Sequence, residues 1–347
     1  MKGLRSALGA AGWACLAVSL LLGPAAARAD DGMNALYQKA KAEGKAVMYT
    51  SVPTFILDEW RSQFEAQYPG VKLEYFRSGT GKVLARINAE KSAGKVHGDL
   101  VWVADATAYP HFAKEGMLAS YKTPEWDHIP FGKDPGGYYV TGRILAGVIF
   151  ANTKEISDLP SSWSDLADAK YKGKVTMASA VVSGSTTVMV SGLVHDAGLG
   201  WAFFQKLKDN GVLILQDVPD VARAVASGER PLGITLTLYK YQAEYKDSPV
   251  KMVFPKEGPI LMPSPMALFA KAEHPNAARL LYRFLLSKKA QAVLAERGIY
   301  PARDDVAPPQ GLPPLAEAKK NAIVPDSEWM VAHWTDVKSQ WRGMFGR

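Results

Sequence analysis

Lys45 to Thr50, KAVMYT, reads as a buried strand, Phe55 to about Gln67 as a helix, and Val71 to Phe76 as a second strand with alternating character. In the middle segment Phe55, Trp60, Phe64 and Tyr68 recur near helical spacing, and Pro69-Gly70 stops the run. Strands joined through a helix pair in parallel, because the helix returns the chain to the edge of the sheet from which it left. By Phe76 the chain is therefore committed to an α/β architecture.

The alternation continues. Helical patterns over Val83–Ser92 and Tyr109–Glu115 flank a buried strand at Asp99–Val103, DLVWV. Gly137–Val140 and Thr141-Gly142-Arg143 lead into the apolar strand Ile144–Ala151, and Lys174–Ala178 is a further strand. Helices follow at Thr186–Ala197, Trp201–Lys208 and Asp220–Ala226, with strands at Val212–Gln216 and Leu232–Leu238. Lys251–Pro255 opens a loop-rich stretch through Pro259, Pro263 and Pro265, after which Met266–Ala270 returns as a strand. Helices close the chain over Ala277–Leu286, Lys288–Arg297, Ala316–Asn321 and Glu328–Phe345. There is no internal repeat or low-complexity linker, so two lobes would have to be joined by strands crossing between them.

Lys2 and Arg5, the apolar run Ala7–Leu22 and the ending Ala27-Arg28-Ala29 make a secretory signal peptide, cut after Ala29. Gly12, Gly23 and Pro24 break the run and argue against a membrane anchor, and no later stretch is long and apolar enough to span a bilayer. The lone cysteine, Cys15, lies inside this segment, so the mature chain has neither disulfides nor a cysteine-based site. Of the formal charge of +7, Lys2, Arg5 and Arg28 carry three, which leaves +4, a mild bias too dispersed to argue for nucleic acid.

The stretch Val181–Val190, VVSGSTTVMV, is a small polar turn opening into an apolar helix. Ser183, Gly184, Ser185 and Thr186 offer hydroxyls and the unpaired N–H groups of a helix start, which suits an anion. The plainer reading makes Ser183 or Ser185 an N-cap. Arg143 is either a surface charge or a cleft residue, and its position before a strand favours the surface. Arg77-Ser78-Gly79-Thr80-Gly81-Lys82 is not a nucleotide phosphate loop, because Phe76 and Val83 stand where that motif needs glycine and a hydroxyl residue. It remains a second small-residue turn that would face the same cleft as Ser51. The six histidines are scattered without ligand spacing, and no HExxH or GxSxG occurs. A serine hydrolase assembled by folding is the alternative class, but His195 lies too far along the helix to serve Ser185.

The chain resembles the periplasmic solute-binding proteins of ABC importers, in the group that holds ferric-ion-, thiamine-, phosphonate- and hexose-phosphate-binding members. The resemblance rests on YTSVP at Tyr49, GDLVWVAD at Gly98 followed by FAKEGML, TGRILAGVIFANT at Thr141, SGST at Ser183, VARAVASGERPLGI at Val221, and the long segment from His274 to Arg303. It implies a type II two-lobed α/β fold, each lobe a mainly parallel sheet flanked by helices with the ligand cleft between. Lobe 1 would take residues 30–143 and 267–310, and lobe 2 residues 144–266 and 311–347. It further implies a monomeric, non-enzymatic periplasmic protein without cofactor, which delivers a small molecule to membrane permease subunits.

In ferric members the serine turn holds an anion beside the metal. Here the tyrosine pair that binds iron reads Leu238-Tyr239, and the usual histidine and glutamate fall at Pro53 and Ala104, with Asp105 alongside. The anion-holding parts are kept and the metal-holding parts are not. The expected ligand is thus an organophosphate or phosphonate, with a carboxylate second. Ferric iron on Tyr239 plus an exogenous anion, or thiamine, stand as alternatives. The helix start at Ser183 to Thr186 and a charge-assisted contact from Arg143 are expected to hold the anion, Ser51, Ser78, Gly79 and Thr80 to approach from the opposite lobe, Tyr239, Asp217 and Asp105 to read the rest of the ligand, and Ser264 to lie near the second crossover.

Overall fold

The computed structural model describes residues 25–346. The expected signal peptide falls largely outside them. Eleven strands form one mixed sheet: β1 (Lys45–Thr50), β2 (Lys72–Arg77), β3 (Leu100–Trp102), β4 (Leu118–Ala119), β5 (Val140–Asn152), β6 (Val175–Ala178), β7 (Leu213–Leu215), β8 (Leu232–Leu236), β9 (Val250–Val253), β10 (Ile260–Phe269) and β11 (Tyr300–Pro301). The main path runs β2-β1-β3-β10-β5-β8-β6-β7. The first three strands are parallel, as are β8, β6 and β7, and between these groups stand the antiparallel neighbours β10 and β5.

The opening crossover forms as the sequence requires. The helix Thr54–Gln67 buries Ile56, Leu57, Trp60 and Phe64, one stripe of its surface, and the chain turns at Gly70 with φ +92°. Every residue of β5 is buried, which matches the apolar run Ile144–Ala151, since a strand covered on both faces has no polar side to show there. The helix Gly184–Ser191 is likewise buried all round. It is shorter than the pattern suggests, because a π-helical turn over Gly192–Asp196 replaces its second half.

Two expectations need correction. Val250–Val253 is a strand paired with β5 and not the start of a loop. The proline-rich stretch expected as loop is the first half of β10, which pairs Pro263 with Ile144 and Pro265 with Thr141. Prolines are tolerated there because β3 pairs only with Met266–Leu268, so at Pro263 and Pro265 the strand has β5 alone as its neighbour, and the register shifts between Ser264 and Pro265.

The two long strands therefore serve both ends of the molecule. β10 bonds to β3 at one end and to β5 at the other. β5 passes from β10 to β8.

Candidate functional site

Four helix starts and a buried arginine surround one cavity with a free core of about 50 Å³. From the first group of strands come Ser51 and Pro53 after β1, Arg77, Gly79 and Thr80 after β2, and Ala104 after β3. Parallel strands place these turns together, because their carboxyl ends share one edge of the sheet. Ser183, Gly184 and Ser185 follow β6, Asp217 follows β7, and Leu238 and Tyr239 follow β8. Arg143 and Leu145 reach in from β5.

Ser183 is the N-cap of its helix. Its backbone is extended, and its Oγ accepts from the Thr186 N–H at 3.4 Å while standing 3.1 Å from Ser185 Oγ. The capping role and the placement on the cavity wall thus coexist. Asp217 is also a cap: its Oδ1 accepts from the Val218 N–H at 2.8 Å, and Asp220 returns the contact to its own N–H at 3.2 Å, a capping box that still leaves Asp217 on the wall. Ser51 Oγ accepts from the Ala104 N–H at 3.2 Å and ties the β1 and β3 turns together.

Arg143 is the departure from the plain reading of the sequence. It lies inside β5 and is only 2 % exposed, so it is not a surface charge. Its Nε donates to Ser264 Oγ at 3.4 Å, its guanidinium sits 5.8 Å from the Trp102 ring centre, and its Nη1 has no partner. It makes no ion pair among the described residues. Burial lowers its pKa from the usual arginine value to about 10, and the neighbouring Arg77 adds to that, so the group is still a cation at neutral pH.

Gly142 makes room for this arrangement, since a Cβ there would stand 2.5 Å from Trp102 Cζ2. Trp102 itself is core, stacked on Trp60 at 5.2 Å.

Tyr239 is 5 % exposed, and burial first, then the charge of Asp217, push its hydroxyl far above the ordinary tyrosine value. A phenolate is disfavoured accordingly.

Four expected residues lie off the cavity wall. Asp105 is buried, but its Oδ1 accepts from the N–H and hydroxyl of Thr107, and the cation whose charge acts on it is Lys338 of the C-terminal helix. Ser264 is fully buried and donates to the Val103 carbonyl at 3.1 Å while supporting Arg143. Ser78 sends its N–H to the Thr50 carbonyl. The Thr186 hydroxyl is buried without a partner, one turn inside the helix.

Arg77 was missed. It is exposed at the end of β2, where a charged residue carries no signal distinguishing a cleft rim from open surface. Pro53, Ala104 and Leu238, which the resemblance sets at or near the ferric-ligand positions, line the cavity. Among the described residues the one cluster of metal-ligating type is His128, Asp304 and Asp305, none of which lines the cavity, and Asp305 is already bound by Arg303. No histidine is among the lining residues, and His195 is stacked on Trp329 at 4.5 Å.

A mixed α/β sheet with helix starts converging between two strand groups is the architecture of type II binding proteins. Residues 99–340 match the bacterial extracellular solute-binding proteins, and the chain belongs to that family. Its fold and relatives are those of transport binding proteins and not of enzymes.

A protein of Salmonella typhimurium, provisionally named as a 2-aminoethylphosphonate-binding periplasmic protein, is 25% identical over 80% of this chain and 83% of its own length. A spermidine/putrescine-binding periplasmic protein of Haemophilus influenzae is 25% identical over 65% and 66%. In fold, the chain is similar to the periplasmic binding protein AfuA of Actinobacillus pleuropneumoniae with fructose-6-phosphate bound, with TM-score 0.78, 22% identity, and coverage of 87% of this chain and 99% of that one. It is also similar to iron-bound HitA of Pseudomonas aeruginosa, with TM-score 0.75, 19% identity and the same coverage.

Proposed function

We propose that the chain is exported by its signal peptide to the periplasm, captures a small organophosphate or phosphonate between two lobes, and presents it to the permease subunits of an ABC importer. The lobes divide as the sequence suggests, with 30–143 and 267–310 in one and 144–266 and 311–347 in the other. The observation that carries this reading is Arg143, a buried cation whose Nη1 is unpartnered at the wall of the cavity. A buried charge left alone costs several kcal/mol, and an entering anion removes that cost.

The N–H groups at the starts of the helices Thr80–Ser92 and Gly184–Ser191 add donors and partial positive charge on two sides. Arg77 and Arg143 against Asp217 leave the wall with an excess of one positive charge, which speaks against thiamine or a polyamine. A zwitterionic aminophosphonate satisfies all three groups, with its ammonium on Asp217. Iron is disfavoured because Tyr239 is the only phenol on the wall and its hydroxyl is held protonated.

Calorimetric titration of the refolded mature protein with 2-aminoethylphosphonate, inorganic phosphate, fructose-6-phosphate, spermidine, thiamine and ferric citrate tests the reading. Saturable heat with a phosphorus anion alone is expected. Binding confined to spermidine, thiamine or iron overturns it.

A further inference from the structure

Thr80 and Gly184 touch across the cavity from opposite strand groups. A Cβ built on Gly184 would lie 2.9 Å from Cβ, Cγ2 and Oγ1 of Thr80, closer than real side chains approach. On either side of Thr80, Cβ positions on Gly79 and Gly81 come to 4.0 and 3.8 Å from the Val182 carbonyl. Two helices therefore meet start to start through residues of little bulk. Thr80 is 5 % exposed, and a β-branched side chain so enclosed does not swing aside. The contact fixes how near the two walls come, and the free core they leave is about 50 Å³.

We infer that the Thr80–Gly184 contact is a closure stop that sets ligand size, admitting phosphate or a phosphonate with one or two carbons and excluding hexose phosphates. The inference rests on the anion reading above and narrows it. It also separates this chain from the structural neighbour that holds fructose-6-phosphate despite their similar folds. Without a Cβ at position 184 the stop is tight. A methyl group there holds the walls apart, and removal of the Thr80 side chain opens the cavity toward larger esters.

The experiment compares affinities of inorganic phosphate, 2-aminoethylphosphonate and fructose-6-phosphate in the wild type, Thr80→Gly and Gly184→Ala. In the wild type the tighter of the two small anions is expected to bind at least about tenfold better than the sugar phosphate, a ratio of the size that one methylene produces in a fitted pocket. Thr80→Gly lowers that ratio by about tenfold, and Gly184→Ala weakens the small anion by about the same factor. Equal wild-type affinity for the sugar phosphate, or an unchanged ratio in Thr80→Gly, overturns the stop.

A second variant separates this from the anion reading itself. Thr80→Cys with Gly184→Cys, in a mature chain that has no other cysteine, brings two Cβ atoms within disulfide range after a small relaxation. Failure to cross-link on oxidation overturns the stop whatever binds. Cross-linking of the variant, with a wild type that binds none of the three anions, supports the contact and overturns the anion reading alone.

Discussion

Arg143 and Ser264 are register partners on β5 and β10, and the Arg143 Nε donates to the Ser264 Oγ at 3.4 Å. Ser264 passes the contact on to the Val103 carbonyl at the end of β3. The one buried guanidinium of the cavity wall is thus aimed by the pairing of the two strands that run between the halves. Its direction is a property of the sheet and not of a loop.

Arg143→Met is expected to separate stability from binding. Removing an unsatisfied buried donor relieves about 1–3 kcal/mol, so the unliganded protein melts no lower than the wild type and is expected to melt higher. Phosphonate affinity falls by about 1–3 kcal/mol for each charge-assisted hydrogen bond lost. Thermal melts with and without 2-aminoethylphosphonate check both halves, and a variant that keeps its affinity removes Arg143 from the site.

Ser183→Ala and Ser185→Ala are expected to differ. Ser183 caps its helix through a long 3.4 Å bond, so its loss lowers stability by about 0.5–1 kcal/mol as well as weakening binding. Ser185 caps nothing, and its alanine variant is expected to weaken binding at unchanged melting temperature. Chemical denaturation of both variants beside titration distinguishes the roles. Equal stability loss in the two would deny the cap.

Asp105→Asn is expected to leave ligand affinity unchanged, because the carboxyl turns to Thr107 and away from the cavity. Burial raises the pKa of Asp105 in the folded state above its ordinary value of 3.8. A raised folded pKa means that the folded state holds the proton more tightly, so wild-type stability rises as pH falls toward 4 and is lost as pH rises through the folded value. The asparagine variant lacks this dependence. Its melting temperature relative to wild type is therefore expected to be highest at neutral pH and to decline on acidification, and a constant difference between pH 7 and pH 4 would show that Asp105 does not titrate in that range.

Gly142→Ala is expected to destabilise by about 1–3 kcal/mol, the usual cost of forcing an extra methyl into a packed core. The methyl meets Trp102, whose ring lies beside Arg143, so affinity is expected to fall too. Denaturant midpoints and titration of the same variant check the pairing of effects.

Much of this was legible because parallel strands put the carboxyl-end turns of their own group side by side. Ser51, Gly79 and Thr80 follow β1 and β2, Ser183 to Ser185 follow β6 of the oppositely directed group, and the two sets of turns line one cavity. Pro53, Ala104 and Leu238, which the resemblance alone singled out, also line the wall. Two kinds of residue resisted. Arg143 is the fourth residue of β5 with its apolar run only on the far side, so position alone made it a surface charge and only the resemblance put it in the cleft. Asp105 and Ser264 are polar residues at strand ends or bulges whose hydrogen bonds turn inward to the backbone, and sequence cannot tell that direction from one toward a ligand. Pro263 and Pro265 hid half of β10, because the vacant side that tolerates them depends on where β3 stops.

The sheet runs without interruption from β2 to β7, and β5 and β10 hydrogen-bond to each other between its two parallel groups. The halves consequently share strands and have no tether that can be cut to free one from the other. Melting either half strips an interior strand from its neighbour, so calorimetry is expected to record a single cooperative transition, and limited proteolysis is expected to release no folded half-molecule.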